Sequence, residues 1–276
     1  MALNSVNTNV GAMVALQNLQ KTNAELATTQ NRINTGKSIN SAKDNGAIWA
    51  IAQSQRSESA SLNAVKSSLQ RGQSTVDVAL SAGESISDLL TQMKTLALSA
   101  SDVSLGTSAR ASLNEDFVNL RNQITTVIAN AGFDGTNLIN AGTAGFKALA
   151  NAKGSSTIDV AQQNLSLGGT IVTVAAAGVL DTAANAQTMI GTVETSIKNV
   201  STALAKLGTG SKAFENHLTF VGKLQDSLDA GVGNLVDADL AKESARLQSL
   251  QTTQQLGVQA LSIANSSTSI LLGLFR

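Results

Sequence analysis

Apolar residues recur at alternating spacings of four and three along the second half of the chain. Between residues 186 and 235 this spacing selects fifteen positions, and thirteen of them are apolar. A stripe of this kind follows one side of a helix and is not produced by a strand or a loop. The pattern predicts one long helix with a coiled-coil-like seam. The fifteen positions are Ala186, Ile190, Val193, Ile197, Val200, Leu204, Leu207, Ser211, Phe214, Leu218, Val221, Gln225, Leu228, Val232 and Leu235.

Two further helices are predicted upstream, and their apolar stripes can be buried against the first to close an antiparallel bundle. The second has apolar residues at multiples of seven, with Gln55 and Gly83 as exceptions. The third has the four-and-three spacing and begins at Thr107 or Ser108 as the N-cap. The stripe of the second consists of Ile48, Leu62, Leu69, Val76, Leu90 and Ala97, and that of the third of Leu113, Phe117, Leu120, Ile124 and Val127.

The segment from about 132 to 180 has a different character, because glycines separate short runs with strand propensity. These runs are 146–150, 157–160 and 171–174. Lys153-Gly154 and Gly168-Gly169 suit tight turns. The pattern predicts a small β-hairpin region that caps one end of the bundle.

Both ends of the chain combine apolar periodicity with a complete lack of charge. Residues 1–20 and 247–275 contain no charged side chain, although both are rich in Gln, Asn, Ser and Thr. A solvated helix normally carries charges on its outer face, so an uncharged polar face predicts that this face is also buried against protein. The residues assigned to this assembly interface are Leu16, Leu19, Leu26, Ile33, Leu240, Leu247, Leu250, Leu261 and Leu271.

Two joints divide the chain into nested halves. The C-terminal seam slips by one position between Leu235 and Val236, beside two glycines, and turn-forming residues occupy 35–43. We therefore predict a terminal helical domain formed by residues 1–40 and 236–276, and a middle domain formed by residues 41–235.

Composition favours helices and disfavours several classes of function. The chain has no proline, which would break long helices, and no cysteine, which excludes disulfides and thiolate sites. Its 19 basic and 19 acidic residues balance, so no net field draws it to nucleic acid or to an anionic membrane. The first ten residues do not resemble a cleavable signal peptide, and no stretch reaches the roughly 20 apolar residues of a membrane span.

No set of residues in the sequence points to catalysis, a cofactor or a metal. Gly208–Ala213 has the spacing of a dinucleotide-binding turn but lies inside the predicted helical seam, with no strand before it. Asp237, Asp239 and Glu243 fit a helix start better than an oxygen-ligand metal site. His217 is the one histidine and has no partner for catalysis nearby in sequence. We predict no catalytic, cofactor-binding or metal-binding residues.

Two terminal segments resemble bacterial flagellins. The first is Asn31-Arg-Ile-Asn-Thr-Gly-Lys-Ser-Ile-Asn-Ser-Ala-Lys-Asp-Asn-Gly-Ala-Ile-Trp-Ala-Ile-Ala52. The second is Val236-Asp-Ala-Asp-Leu-Ala-Lys-Glu-Ser-Ala-Arg-Leu-Gln, continuing through Ala264-Asn265 and closing in Leu274-Phe-Arg276. Asn45 stands where the family often has a second acidic residue. The middle is short, so the large outer domains of longer flagellins are missing.

The resemblance implies a structural homopolymer, the extracellular flagellar filament, with the terminal helices lining its inner tubes. It also implies unfolded export by the flagellar type III apparatus with a dedicated chaperone, and contacts with cap and hook-junction proteins. Neither a cofactor, nucleic-acid binding nor membrane insertion is expected. The alternatives are a hook-filament junction protein of the same superfamily, a secreted membrane-active coiled-coil protein and, third, an enzyme.

Overall fold

The protein is mainly α-helical, as the sequence predicts. The computed structural model describes residues 8–142 and 144–273, with side chains described up to residue 266 in the last helix. The helices are α1 (Val10–Thr35), α2 (Gly46–Ala100), α3 (Thr107–Asn130), α4 (Ala183–Val236) and α5 (Leu240–Gly273), and the strands are β1 (Phe146–Leu149) and β2 (Thr157–Val160).

The chain forms two compact units. The terminal unit contains residues 1–57 and 227–276, and the middle unit contains residues 58–226. In the terminal unit the first and last helices, α1 and α5, pack against each other. The predicted nesting of the two ends of the chain is therefore confirmed.

The predicted seams form the buried faces of α2 and α4. All fifteen seam positions of α4 are buried or half-buried, and so are all eight heptad positions of α2, including Gln55 and Gly83. A second row on α2 that the sequence reading did not single out is also buried, three residues after the first. It consists of Val65, Ala79, Ile86, Met93 and Ala100.

The predicted hairpin forms, and it packs on the side of α2 and α4 in the middle unit. β1 and β2 pair antiparallel, with Phe146 opposite Val160. The Phe146 ring lies edge-on to that of Phe214, with centroids 6.1 Å apart. A Cβ at Gly72 would lie 2.7 Å from Phe146, so only glycine leaves room for this ring. The hairpin thus lies against residues in the interior of both helices, and the prediction that it caps one end of the bundle is wrong.

Two local predictions are also wrong. The α3 helix begins at Thr107 itself, its N-cap is Gly106, and no side chain caps it. The run 171–174 is not a strand, because no neighbouring strand is present to accept its hydrogen bonds within the described residues. Instead the Thr173 N–H donates to Ser196 Oγ of α4 at 3.0 Å, while Val172 and Val174 are buried.

Glycine 145 is the residue in the hairpin region that we expect to tolerate substitution least. It has a φ of 75°, and an added Cβ would lie 2.6 Å from the carbonyl oxygen of Val160. Gly154 has a φ of 68° and nothing within 4 Å of an added Cβ. The left-handed backbone alone costs about 1–2 kcal/mol for alanine. We expect Gly145→Ala to destabilise the middle unit beyond that amount, because the backbone must also move.

Urea unfolding of Gly145→Ala and Gly154→Ala, followed by circular dichroism, separates these two contributions. Equal losses of stability in the two variants would contradict the close approach of Gly145 to β2.

Candidate assembly site on the terminal helices

The α1 and α5 helices run antiparallel and are joined by polar contacts at both ends of their pairing. Near the start of α1, Asn9 Nδ2 donates to the Ala264 carbonyl oxygen at 2.7 Å. Further along, Gln254 Nε2 donates to Asn23 Oδ1 at 2.7 Å. Uncharged amides therefore fix the register of the two helices between Asn9 and Asn23.

The charged contacts of the pair are confined to its other end. Arg32 Nη1 lies 3.1 Å from Glu243 Oε1, and Arg246 Nη2 lies 3.6 Å from Glu25 Oε2. Glu243 is 9% exposed, and its Oε2 atom is buried with no hydrogen-bond partner. The partly buried Arg32–Glu243 pair therefore links α1 and α5 close to the joint.

The predicted joint is an interruption of both helical segments. Gly36 ends α1 in the left-handed conformation, with a φ of 68°. Lys37 then forms an antiparallel bridge with Asp237, where α4 has ended. The Ser38 N–H donates to the Val236 carbonyl oxygen at 2.7 Å, and the Ala238 N–H donates to that of Gly36 at 2.9 Å. The register slip seen in the sequence therefore coincides with the end of α4.

Acidic side chains near the joint accept hydrogen bonds from backbone N–H groups. Asp239 Oδ1 accepts from the Lys242 N–H at 3.1 Å at the start of α5, which confirms the helix-start interpretation of this acidic cluster. Asp44 Oδ2 accepts from the backbone N–H groups of Asn40 and Ser41 at 3.0 and 2.9 Å. These bonds, the one from Ser41 first, hold the pKa of the Asp44 carboxyl below its ordinary value.

The turn closed by Asp44 is expected to open in acid. Because the pKa of Asp44 is lowered in the folded chain, its contribution is complete above the unfolded pKa of about 3.9. The contribution is lost as the pH falls from there through the folded pKa. Hydrogen exchange of the Asn40 and Ser41 amides, corrected for the intrinsic pH dependence, measures this loss. Asp44→Asn serves as the control, and in this variant the Asn40 and Ser41 amides should exchange quickly at every pH. If protection of these amides in the wild type did not change with pH, the expectation would be contradicted.

The predicted interface residues lie on α1 and α5, and none whose side chain is described is fully buried. Leu16 and Leu240 are 45% and 49% exposed. Leu19, Leu26, Ile33, Leu247, Leu250 and Leu261 are half-buried. Leu271 lies in α5, outside the residues whose side chains are described.

Sequence reasoning missed a second group of apolar residues on the same two helices. Leu256 and Ile263 are 60% and 69% exposed. At about 100° of rotation per residue they lie more than a quarter turn from Leu250 and Leu261. A search for one apolar stripe overlooks residues that lie off the stripe. The apolar residues around the whole circumference of α5 could have indicated this second group. The full group is Val10, Met13, Val14, Leu256, Val258 and Ile263.

The other motifs fall in structural positions. Gly208–Ala213 lies in the interior of α4, with no phosphate-binding turn. His217 is half-buried, and its Nε2 lies 2.7 Å from the Ala150 carbonyl oxygen beside the hairpin. Among the described residues, no helix is long and apolar enough to cross a membrane. The same part of the chain contains no group of His, Asp or Glu side chains placed to hold a metal ion.

Comparisons with known proteins agree with the resemblance seen in the sequence. A family model of the bacterial flagellin N-terminal helical region matches residues 6–144, and one of the C-terminal helical region matches residues 190–275. Flagellin FljM of Caulobacter vibrioides is 60% identical over 276 residues, which is 100% of both chains. The flagellin of Brucella melitensis is 39% identical over 282 residues, 99% of each chain. A crystal structure of Bacillus cereus flagellin aligns with 55% of this chain and 86% of its own, at 22% identity and a TM-score of 0.48. The chain therefore belongs to the bacterial flagellin family, the structural subunits of the flagellar filament.

Proposed function

We propose that the chain polymerises through α1 and α5 into the flagellar filament that serves motility, and that it acts as a structural subunit and not as an enzyme. The observation that carries this proposal is the exposure of apolar side chains on a helix pair that has no charged residue up to residue 20 of α1 or from residue 247 to the end of α5. Thr29 is the one buried residue of α1, and Glu243 that of α5 among its described side chains. The pair alone therefore leaves large apolar side chains of both helices partly in water.

Neighbouring subunits supply the missing partner in this proposal. Each large apolar side chain that passes from water to a packed interior contributes roughly 1.5–3 kcal/mol. The interface residues from Leu16 to Leu261 and the exposed group around Leu256 and Ile263 supply many such side chains on two sides of the pair. The amides and hydroxyls between them form hydrogen bonds to neighbouring subunits without the large desolvation cost of a buried charge.

The polymerising domain of this proposal consists of residues 1–40 and 236–276, and residues 41–235 form the outer domain. The bridge between Lys37 and Asp237 supports a boundary here, since both connections run beside each other at this point. The short glycine-containing segment between α3 and α4 leaves the outer domain small.

Export in an unfolded state through the flagellar type III apparatus is the route that we propose, followed by folding in the extracellular filament. The chain has no proline and no cysteine, so neither slow prolyl isomerisation nor a disulfide would delay its unfolding or refolding. A dedicated export chaperone, the filament cap and the hook-junction proteins are the further partners of this route.

The proposal predicts that α1 and α5 are weakly protected in the monomer and strongly protected in the filament. Ordering the backbone costs about 1–2 kcal/mol per residue. One helix pair buries too little apolar surface to offset this cost, whereas a packed tube of many subunits buries much more. Hydrogen exchange with mass spectrometry on both forms measures the difference for residues 8–35 and 240–266. The middle unit is the internal control, since its α2–α4 core should be protected in both. Strong protection of α1 and α5 in the monomer would contradict the proposal.

A further inference from the structure

Asn45 and Gly46 form the one Asn-Gly pair in the sequence. The pair lies where the connection from α1 ends, with Gly46 as the first residue of α2. Both residues are exposed, and a Cβ added at Gly46 would have nothing within 4 Å. Solvent therefore reaches both the side-chain amide of Asn45 and the backbone nitrogen that follows it.

The hydrogen bonds around this pair leave its backbone nitrogen free and polarise its side-chain carbonyl group. The Gly46 N–H donates no hydrogen bond among the described residues, as is usual for the first N–H groups of a helix. Asn45 Oδ1 accepts from the Ile48 N–H at 3.2 Å. This donor draws electron density from Asn45 Cγ and faces the oxygen that becomes negative when Cγ is attacked.

A second exposed asparagine close by, Asn40, is followed by a backbone nitrogen that is not free. The Ser41 N–H donates to Asp44 Oδ2 at 2.9 Å. A bonded N–H must leave its acceptor before it can lose its proton and attack a neighbouring carbonyl group. The turn that Asp44 closes therefore protects Asn40, whereas no such bond protects Asn45.

We infer that Asn45 is a site of spontaneous deamidation in the folded chain, with the Gly46 nitrogen as nucleophile and water as co-reactant. The Gly46 nitrogen loses its proton and attacks Asn45 Cγ. A bond forms between these two atoms, and the bond from Cγ to Nδ2 breaks. The amide nitrogen leaves as ammonia with the proton, and a succinimide ring remains. This inference does not depend on the proposed polymerisation.

Water then opens the ring on one of two sides. Addition at Cγ breaks the new bond and leaves aspartate. Addition at the backbone carbonyl carbon of Asn45 breaks the bond from that carbon to the nitrogen and leaves isoaspartate, whose main chain runs through Cβ and Cγ. Either product adds one negative charge at neutral pH to a chain whose formal net charge is zero.

The two products differ in their effect on the start of α2. Aspartate keeps an acceptor for the Ile48 N–H. Isoaspartate lengthens the main chain at the point where the Trp49 N–H donates to the Asn45 carbonyl oxygen at 3.0 Å. We therefore expect the isoaspartate form to unwind the first turn of α2.

Tryptic digestion and mass spectrometry of the full-length monomer, after incubation in neutral or mildly alkaline buffer, measure the reaction. Cleavage after Lys43 and Arg56 places Asn45 in a peptide with no other asparagine, and cleavage after Lys37 and Lys43 does the same for Asn40. A sample without incubation corrects for reaction during digestion.

The peptide of Asn45 should gain the mass of the change from amide to acid and accept a methyl group from an isoaspartyl methyltransferase. Its reaction should be faster in alkali, because the deprotonated nitrogen is the nucleophile. The peptide of Asn40 should stay unchanged over the same period. An unchanged peptide of Asn45, or equal reaction at Asn40, would overturn the inference.

Gly46→Ala tests the nucleophile. The added methyl group enters open space, so the fold is kept, but it hinders the approach of the nitrogen to Asn45 Cγ. We expect the rate at Asn45 to fall at least about tenfold, the equivalent of about 1.4 kcal/mol in the barrier. Gly222→Ala, where an added Cβ in α4 also meets nothing within 4 Å, is the matched control and should leave the rate unchanged. A wild-type rate in Gly46→Ala would overturn the inference.

The same measurement on the urea-unfolded chain separates the effect of the fold from that of the local sequence. Unfolding should speed the reaction at Asn40, because the Ser41 N–H is released, and should not speed it at Asn45. If Asn45 reacted more slowly in the folded monomer than in urea, the start of α2 would protect this residue, and the inference would fail.

Discussion

Replacing Arg110 with methionine is expected to lower the stability of the middle unit by about 3 kcal/mol, since two hydrogen bonds from a charged group are lost. Arg110 is 9% exposed although it lies in the first turn of α3. Its Nε donates to the Ala100 carbonyl oxygen at 3.0 Å, and its Nη2 donates to that of Asp102 at 2.8 Å. The guanidinium thus closes the C-terminal end of α2, where the helix macrodipole favours a positive charge.

Methionine keeps most of the length of the Arg110 side chain and removes every donor. In a unit of this size, a loss of about 3 kcal/mol corresponds to a fall in melting temperature of about 6–12 °C. The melting temperature of Arg110→Lys should lie between those of the wild type and Arg110→Met, because an ammonium keeps the charge but cannot donate in two fixed directions as a guanidinium does. Thermal unfolding followed by circular dichroism measures both variants.

The matched control for this comparison is Arg121→Met, in the same helix. Arg121 Nη1 donates to one carbonyl oxygen, that of Gly178, at 2.8 Å, and the residue is only half-buried. We therefore expect Arg121→Met to lose less stability than Arg110→Met. A loss at Arg110 no larger than that at Arg121 would show that the closure of α2 contributes little.

The helices could be predicted from the sequence because their apolar spacing is regular over many turns. Seam positions such as Val193 and Phe214 are buried as the spacing requires. Periodicity even identified Gln55 and Gly83 as exceptions that still lie on the buried face. It identified the break near Val236 as well, because the apolar stripe changes register there, and α4 ends at this residue.

Features that depend on three-dimensional packing could not be predicted in this way. The strand propensity of 171–174 reflects local preference, but the strand needs a neighbour, and Thr173 meets Ser196 of α4 instead. The position of the hairpin follows from the room that Gly72 leaves for Phe146, which no periodicity reports. The buried role of Arg110 depends on a turn whose geometry the sequence does not specify.

The candidate assembly site could be predicted only in part from the sequence, for a different reason. The uncharged ends pointed to an interface, but a single-stripe search selected residues such as Leu19 and Leu261, which are half-buried. The more exposed residues, Leu256 and Ile263, lie off that stripe. A helix that must contact partners on several sides has apolar residues around its circumference, and this weakens the periodic signal that sequence analysis relies on.

Removal of residues 247–276 is expected to abolish polymerisation while leaving the melting of the middle unit unchanged. The deletion takes away Leu250, Leu261 and every uncharged turn of α5. Leu261→Asp should come close to the same result in the full-length chain. A carboxylate at this half-buried site would have to be desolvated in the packed filament without a partner, because α1 carries no basic residue before Lys21.

Seeded assembly followed by light scattering and electron microscopy measures growth, and thermal unfolding of the monomer measures the middle unit. Val103→Asp is the matched control for the charge, since it places the same side chain at an exposed site of the middle unit. It should polymerise normally. The truncated chain and Leu261→Asp should melt at the wild-type temperature because neither change touches residues 58–226. Filaments of normal length from either variant would show that α5 is not the polymerising element. A lowered melting temperature would show instead that the terminal helices stabilise the middle unit, and that loss of growth reflects misfolding and not a missing interface.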